Sequence, residues 1–244
     1  TSVISMMSPL MNVVSSILGA GEAAFYDETI GWIGTLTTIN RLSGYWIQVN
    51  ESISLCIDEA IPTDPASVYN LNLGSNLISF PALVTIGISD AIPDNVEDLF
   101  NSILGEGIAT MNIGNGWIGA LMNFSGGSGY WVYVEEDLSF SYNIDDELER
   151  TEINKYVNTL PVGSEFNVTQ SSQQAFYFID HIVLMDEEVE DGDWILSYND
   201  NVLTGIRQWK GIIIDIPVMG SDGHEYSADY LKPGEKPEFK YLDN

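Results

Sequence analysis

Along the first 144 residues, short apolar runs alternate with Gly, Asn and Ser turns, and the pattern comes round twice. Gly31-Trp32-Ile33-Gly34 and Ser43-Gly44-Tyr45-Trp46 recur as Gly116-Trp117-Ile118-Gly119 and Ser128-Gly129-Tyr130-Trp131, both displaced by 85 positions. Without gaps, residues 31–57 match 116–142 at 12 of 27 positions. At an offset of 86, Ser16-Ile17-Leu18-Gly19 matches Ser102-Ile103-Leu104-Gly105. After each Ser-Gly the period is two, as in a half-buried strand. Tyr130, Val132 and Val134 share one face, with Trp131, Tyr133 and Glu135 opposite. Tyr45, Ile47 and Val49 make the same apolar face in the first copy, with Trp46, Gln48 and Asn50 opposite. Upstream, Val96, Leu99, Phe100, Ile103 and Leu104 stand at helical spacing between Asp94 as cap and Gly105 as stop. That spacing predicts a helix, repeated over Met11, Val14, Ile17 and Leu18 and ended by Gly19.

The second copy opens on Asn76-Leu77-Ile78-Ser79-Phe80, an apolar run that reads as a strand. Its counterpart in the first copy would fall ahead of Thr1. The expectation is therefore a chain that starts inside a structural unit. A groove lined by Val13, Ile17 and Tyr45 would then be open to a neighbour's strand, or to a segment removed from a precursor.

Beyond Ile144 the pattern becomes all-β. Ala175–Leu184 has strand composition, Trp194–Tyr198 and Val202–Trp209 flank an Asn199-Asp200-Asn201 turn, and Gly211–Pro217 and Phe239–Leu242 complete a β-sandwich. The expected fold is mainly β: tandem small β-rich modules, two with a short helix, followed by that sandwich. The modules are placed at 1–57, 66–144 and 153–244, joined by the proline-containing Asp58–Pro65 and the acidic Asp145–Glu152.

Charge narrows the partners. Thirty-six Asp and Glu against 8 Lys and Arg give −28, with −14 on residues 1–144 and −14 on 145–244. Such a surface repels phosphate backbones and excludes nucleic acid as a partner. It suits a saline or divalent-rich exterior, and it equally serves plain solubility. The first 21 residues carry no charge, but Pro9 and several serines interrupt them and no basic segment leads them, so no membrane span is expected. Cys56 stands alone and its repeat partner is Ser141, which makes it a small strand residue rather than a nucleophile.

Candidate chemistry is sparse. Gly19-Ala20-Gly21-Glu22-Ala23-Ala24 satisfies G-x-G-x-x-A, but it is read as following a helix and preceding a strand, the wrong context for phosphate. Asp186, Glu188, Glu190, Asp191 and Asp193 form the densest acidic cluster. EF-hand spacing fails there, which leaves a solvated loop or a Ca²⁺ site of loop oxygens to which Asp215, Asp222 and Asp229 could contribute. His181 and His224 have no partner at zinc-ligand spacing and there is no G-x-S-x-G elbow, so no catalytic residues are assigned, and no cofactor beyond that possible calcium. Trp46 and Trp131, on the more polar strand face, and Trp32 and Trp117 nearby are the candidates for an interface or for stacking on a sugar.

Asn76-Leu77-Ile78-Ser79-Phe80-Pro81, Gly116-Trp117 and Ser128-Gly129-Tyr130-Trp131 resemble the "NLISFP…SGYW" modules of secreted and surface proteins from marine bacteria. Gly192-Asp193-Trp194-Ile195, Gly205, Arg207-Gln208-Trp209, Pro217 to Gly223 and Phe239-Lys240 resemble a module that accompanies them, and similar modules occur in structural proteins of marine phages. The resemblance implies extracellular, cell-surface or virion architecture. The expected function is a non-enzymatic structural subunit of a filament, fibre or virion component. Its partners would be further copies of itself or other surface or virion proteins. The alternative is a carbohydrate-binding adhesin module using Trp46 and Trp131.

Overall fold

The structure, a computed structural model, describes residues 1–55, 61–144, 160–161, 166–184 and 189–244. It is mainly β, with antiparallel sheets and a few helices of about one turn. Contacts gather the chain into two compact units, Thr1–Ile103 with Asn123–Asn154 and Leu104–Met122 with Lys155–Asn244.

In the first unit the first repeat opens on α1 (Val3–Met7), whose Ser2 cap accepts from Ser5 N. Four strands follow: β1 (Val14–Leu18), β2 (Ala23–Asp27), β3 (Gly31–Gly34) and β4 (Trp46–Val49), in the order β3-β2-β1-β4. Val3, Met7 and Leu10 bury the inner face of this sheet, where Val14, Ile17, Ala24 and Leu36 sit. The second repeat contributes β5 (Tyr69–Leu71), β6 (Gly74–Ser79), β7 (Thr85–Gly87), α2 (Ile88–Ala91), α3 (Asp94–Glu97) and β8 (Phe100–Gly105). Its next strands, β9 (Ile108–Asn112) and β10 (Trp117–Gly119), belong to the second unit, and β11 (Asn123–Ser125), β12 (Gly129–Val134) and β13 (Leu138–Phe140) return to the first. Here β6 pairs β12, β7 pairs β11 and β5 pairs β13, all antiparallel. Their apolar sides meet in a cluster of Tyr69, Phe80, Phe124, Phe140 and Tyr142, whose rings stack or meet edge to face.

The repeat holds down to single hydrogen bonds. Tyr45 Oη accepts from Asn40 N at 2.8 Å, and Tyr130 Oη accepts from Ser125 N at 2.8 Å. Asn50 N donates to Val13 O and Glu135 N to Leu99 O, each at 2.9 Å. Gly34 and Gly119 have φ of +136° and +125°, and a Cβ on either would fall 2.2 Å and 2.4 Å from the carbonyl oxygen of Ala23 and Ala109. Both places demand glycine, for conformation and for space. The Ser2–Thr38 bridge matches the Gly87–Asn123 pair, so the repeat reaches back to Ser2, well before Ser16.

The two predicted helices are the main correction. Helix persists only over Asp94–Glu97, and residues 100–105 are β8; in the first copy, Val14–Leu18 is β1. The i, i+3, i+4 spacing was real, but Ile103 and Ile17 are β-branched and lie among serines and asparagine, and pairing with neighbouring strands outweighs so weak a preference. The Gly19–Glu22 turn therefore joins two strands, Gly19 N donating to Glu22 O at 2.8 Å.

In the second unit β9 and β10 form a hairpin. A sheet of β14 (Gln173–Ile179) and β17 (Ile214–Gly220) accompanies a sheet in the order β16-β15-β18, from β15 (Trp194–Asn199), β16 (Val202–Gln208) and β18 (Glu238–Leu242). The strands fall close to their expected places, and the predicted run to Leu184 ends at Ile179. Ile195 packs with Ile214, Ile216 and Trp209 between the sheets, and Phe166 and Val168 help cover Trp194, Leu196 and Ile206 on the other face. Among the described residues no helix is long and apolar enough to cross a membrane.

Candidate functional site

The two repeats diverge along β4 and the residues that follow it. Val132 and Val134 of β12 are 1% and 0% exposed, covered on the strand side by β6; Leu138 and Phe140 of β13 are 9% and 5%, paired with β5. Displaced by 85 positions, Ile47, Val49, Ile53 and Leu55 occupy the same places in the first copy and are 41%, 43%, 44% and 37% exposed. The sheet order puts β4 at an edge: its inner side pairs β1 from Leu18–Trp46 to Val14–Val49, and among the described residues no strand pairs its outer side. An edge with unpaired N–H and C=O groups and a row of aliphatic side chains is a template for another strand.

The residues expected to line an open groove are placed elsewhere. Val13 and Ile17, expected to line it, are buried, Ile17 beneath Val3, Met7 and Leu10. Tyr45 is half-buried against the same cluster. The period-two pattern had named Ile47 and Val49, and Ile53 and Leu55 were legible only as repeat partners of Leu138 and Phe140.

Trp46 and Trp131 are half-buried, paired in register with Leu18 and Leu77. Trp32 packs against the first repeat's core and beside Tyr26 at 5.5 Å between ring centroids, and Trp117 is buried. The four do not form one exposed platform.

The acidic residues are engaged by donors. Asp193 is buried, with Oδ2 accepting from Glu190 N at 2.7 Å and Tyr241 Oη at 2.8 Å, and Oδ1 from Asn244 N at 3.2 Å. Burial alone would raise its carboxyl, but these bonds hold it below the usual range. Asp222 accepts from Ser227 Oγ at 2.6 Å, from Ser172 N and His224 N, and from Tyr226 Oη. Against the opposing effect of burial, that set holds its carboxyl well below the usual range, and burial with the Asp222 contact drives the Tyr226 hydroxyl up. Glu190 and Asp191 border the Asp193 turn, whereas Asp186, Glu188 and Cys56 lie outside the described residues. Among the described residues, no group of three or more His, Cys, Asp or Glu is placed to hold a metal ion. His181 is exposed beyond β14, and His224 stacks on Tyr226 at 5.7 Å.

Asp215 is removed from the calcium candidates by its partner. It is 0% exposed and meets Arg207, 1% exposed, at 2.6 Å. Arg207 also donates through Nε to Asp215 O and through Nη2 to Gly107 O, while the carboxylate accepts from Ala109 N and Ala120 N. This constellation ties the β9–β10 hairpin to β16 and β17 within the second unit. The pairing joins residues about 100 positions apart to a local pair, and no sequence spacing announces it.

Compared with family models, with curated proteins and with solved structures, the chain matches none.

Proposed function

We propose that the chain is a non-enzymatic structural subunit of an extracellular assembly, a surface filament, fibre or virion component, whose subunits are joined by strand exchange. The observation that carries this reading is the exposed row Ile47, Val49, Ile53 and Leu55 on the edge strand of a repeat whose second copy buries the same positions. An unpaired edge that carries exposed aliphatic side chains is an aggregation hazard in a free monomer and an asset in a polymer. The engagement of Asp193, Asp215 and Asp222 in structural hydrogen bonds supports the same reading, because it leaves these carboxylates organising turns and strand packing. The high negative charge suits a saline exterior, where counterions screen repulsion between subunits.

Sedimentation velocity and electron microscopy of the purified chain over a range of concentrations test this. Concentration-dependent oligomers or filaments are expected. A chain that stays monomeric throughout and shows saturable binding on a glycan array would replace this reading with the adhesin alternative centred on Trp46 and Trp131.

A further inference from the structure

Asn or Asp followed by a small residue brings the next backbone nitrogen within reach of the side-chain carbonyl carbon. The chain has this arrangement at Asn101-Ser102, Asn115-Gly116, Asp191-Gly192 and Asp222-Gly223. Three of these places are held. Asn101 lies in β8, and its Nδ2 donates to Glu135 Oε1 at 3.4 Å. Gly192 N donates to Trp209 O at 3.0 Å. The Asp222 carboxylate accepts from Ser172 N, His224 N, Ser227 Oγ and Tyr226 Oη, which keeps it in the ionised form that has no leaving group. Asn115-Gly116 differs. It sits in the turn between β9 and β10, both residues are exposed, and neither the Asn115 side chain nor Gly116 N is hydrogen-bonded among the described residues. Gly116 has φ of +139°, and a Cβ there would meet nothing within 4 Å. The turn therefore has glycine's conformational freedom and open space around the reacting atoms.

We propose that Asn115-Gly116 is a self-modifying site, which converts in the folded chain and without an enzyme to aspartyl and isoaspartyl forms. This does not rest on the proposed assembly function. The Gly116 nitrogen gives up its proton and attacks Asn115 Cγ; ammonia leaves and a succinimide ring closes. Water then opens the ring at either carbonyl, giving an aspartyl or an isoaspartyl residue at position 115. Water is the only co-reactant, and proximity within one chain replaces a bimolecular encounter. The product carries one further carboxylate, which takes the chain from −28 to −29. The hairpin withstands this because its base is anchored away from the tip: Ala109 N and Ala120 N donate to the Asp215 carboxylate, and Gly107 O accepts from Arg207. The tip itself does not require the amide, since Ile30-Gly31 stands at the matching place between β2 and β3. What the isoaspartyl form alters is the closure of the turn, where Ile113 N donates to Gly116 O at 3.0 Å next to buried Trp117.

The test incubates the full chain in mildly alkaline buffer, folded and in guanidinium chloride, and follows each peptide by mass spectrometry. An isoaspartyl methyltransferase labels the isoaspartyl form. In the folded chain the peptide carrying Asn115 is expected to gain the mass of OH over NH2 and to take the label. It is expected to do so at least about tenfold faster than any change at Asn101, Asp191 or Asp222. In denaturant Asn115 is expected to react at a similar rate while the other three gain on it, because unfolding removes only their restraints. Asn115→Gln, which would have to close a larger ring, is expected to abolish the change and leave the melting temperature in place. An Asn115 that stays intact in the folded chain and reacts only in denaturant overturns the proposal. So does a folded chain in which all four places react alike. The comparison of folded and unfolded chain uses the unmodified sequence, so it decides the question even if Asn115→Gln folds poorly.

Discussion

Arg207 and Asp215 form an ion pair of 2.6 Å with both side chains withdrawn from solvent, and every neighbour of the carboxylate is a donor. Such a pair costs desolvation to assemble but is expensive to break on one side. Arg207→Met is expected to cost about 3–5 kcal/mol, because it strands a buried carboxylate. Replacing both residues by apolar ones of similar volume is expected to cost less than either single change. Urea unfolding of the three variants checks the order.

Gly205 explains part of the motif shared by the C-terminal strands. A Cβ there would lie 1.7 Å from Pro217 O, and Ser197 Oγ donates to that same oxygen at 2.9 Å. β16 and β17 thus approach at backbone contact. Gly205→Ala is expected to destabilise the second unit by about 1–3 kcal/mol, as overpacking does, measurable as a lower midpoint in thermal melts.

Tyr142 offers the opposite case. It is buried among Tyr69, Phe80 and Phe124, and its hydroxyl has no partner among the described residues. Burial, with smaller contributions from Tyr69 and Tyr130, pushes that hydroxyl far from ionisation. Tyr142→Phe is expected to leave stability unchanged or raise it by about 1 kcal/mol, since an unsatisfied buried polar group is removed and the ring kept. A clear loss in thermal melts would show that the hydroxyl is satisfied in solution.

Asp193 and Asp222 set the acid response. Both carboxyls are held below their ordinary value, so their stabilisation is complete above the unfolded value near about 4 and is lost as pH falls through the folded values. The second unit is expected to lose stability progressively below about pH 4. Asp222→Asn is expected to cost most at neutral pH and progressively less on acidification. A stability gap that stays constant from pH 7 to pH 2 would contradict this.

Self-repulsion at −28 predicts that the melting temperature rises with sodium chloride. Calcium at matched ionic strength provides the comparison: a further rise that is lost in Glu190→Gln or Asp191→Asn would assign a bound cation to the loop around Asp191.

Much of the fold was legible because it is local. Gly34 and Gly119 are forced by conformation, Tyr45 and Tyr130 bond five residues upstream, and period-two runs such as Tyr130–Val134 have a buried and an open side in any sheet. The candidate site was legible in outline for the same reason, since each position of one copy can be compared with its partner in the other. Its actual walls were not, because the burial of Ile17 depends on where Val3, Met7 and Leu10 lie, and that packing is tertiary.

The sequence by itself therefore determined the strand composition, the turns and the equivalence of the two copies, all consequences of backbone conformation and nearest-neighbour chemistry. Tertiary structure alone decided that residues 14–18 and 100–105 are strands, because partners on neighbouring strands outweigh a weak helical spacing. It decided that Arg207 and Asp215 neutralise each other inside the second unit. It also decided that Ile47 is exposed where Val132 is buried, since burial is fixed by whatever strand lies alongside and the same side-chain pattern supports either state.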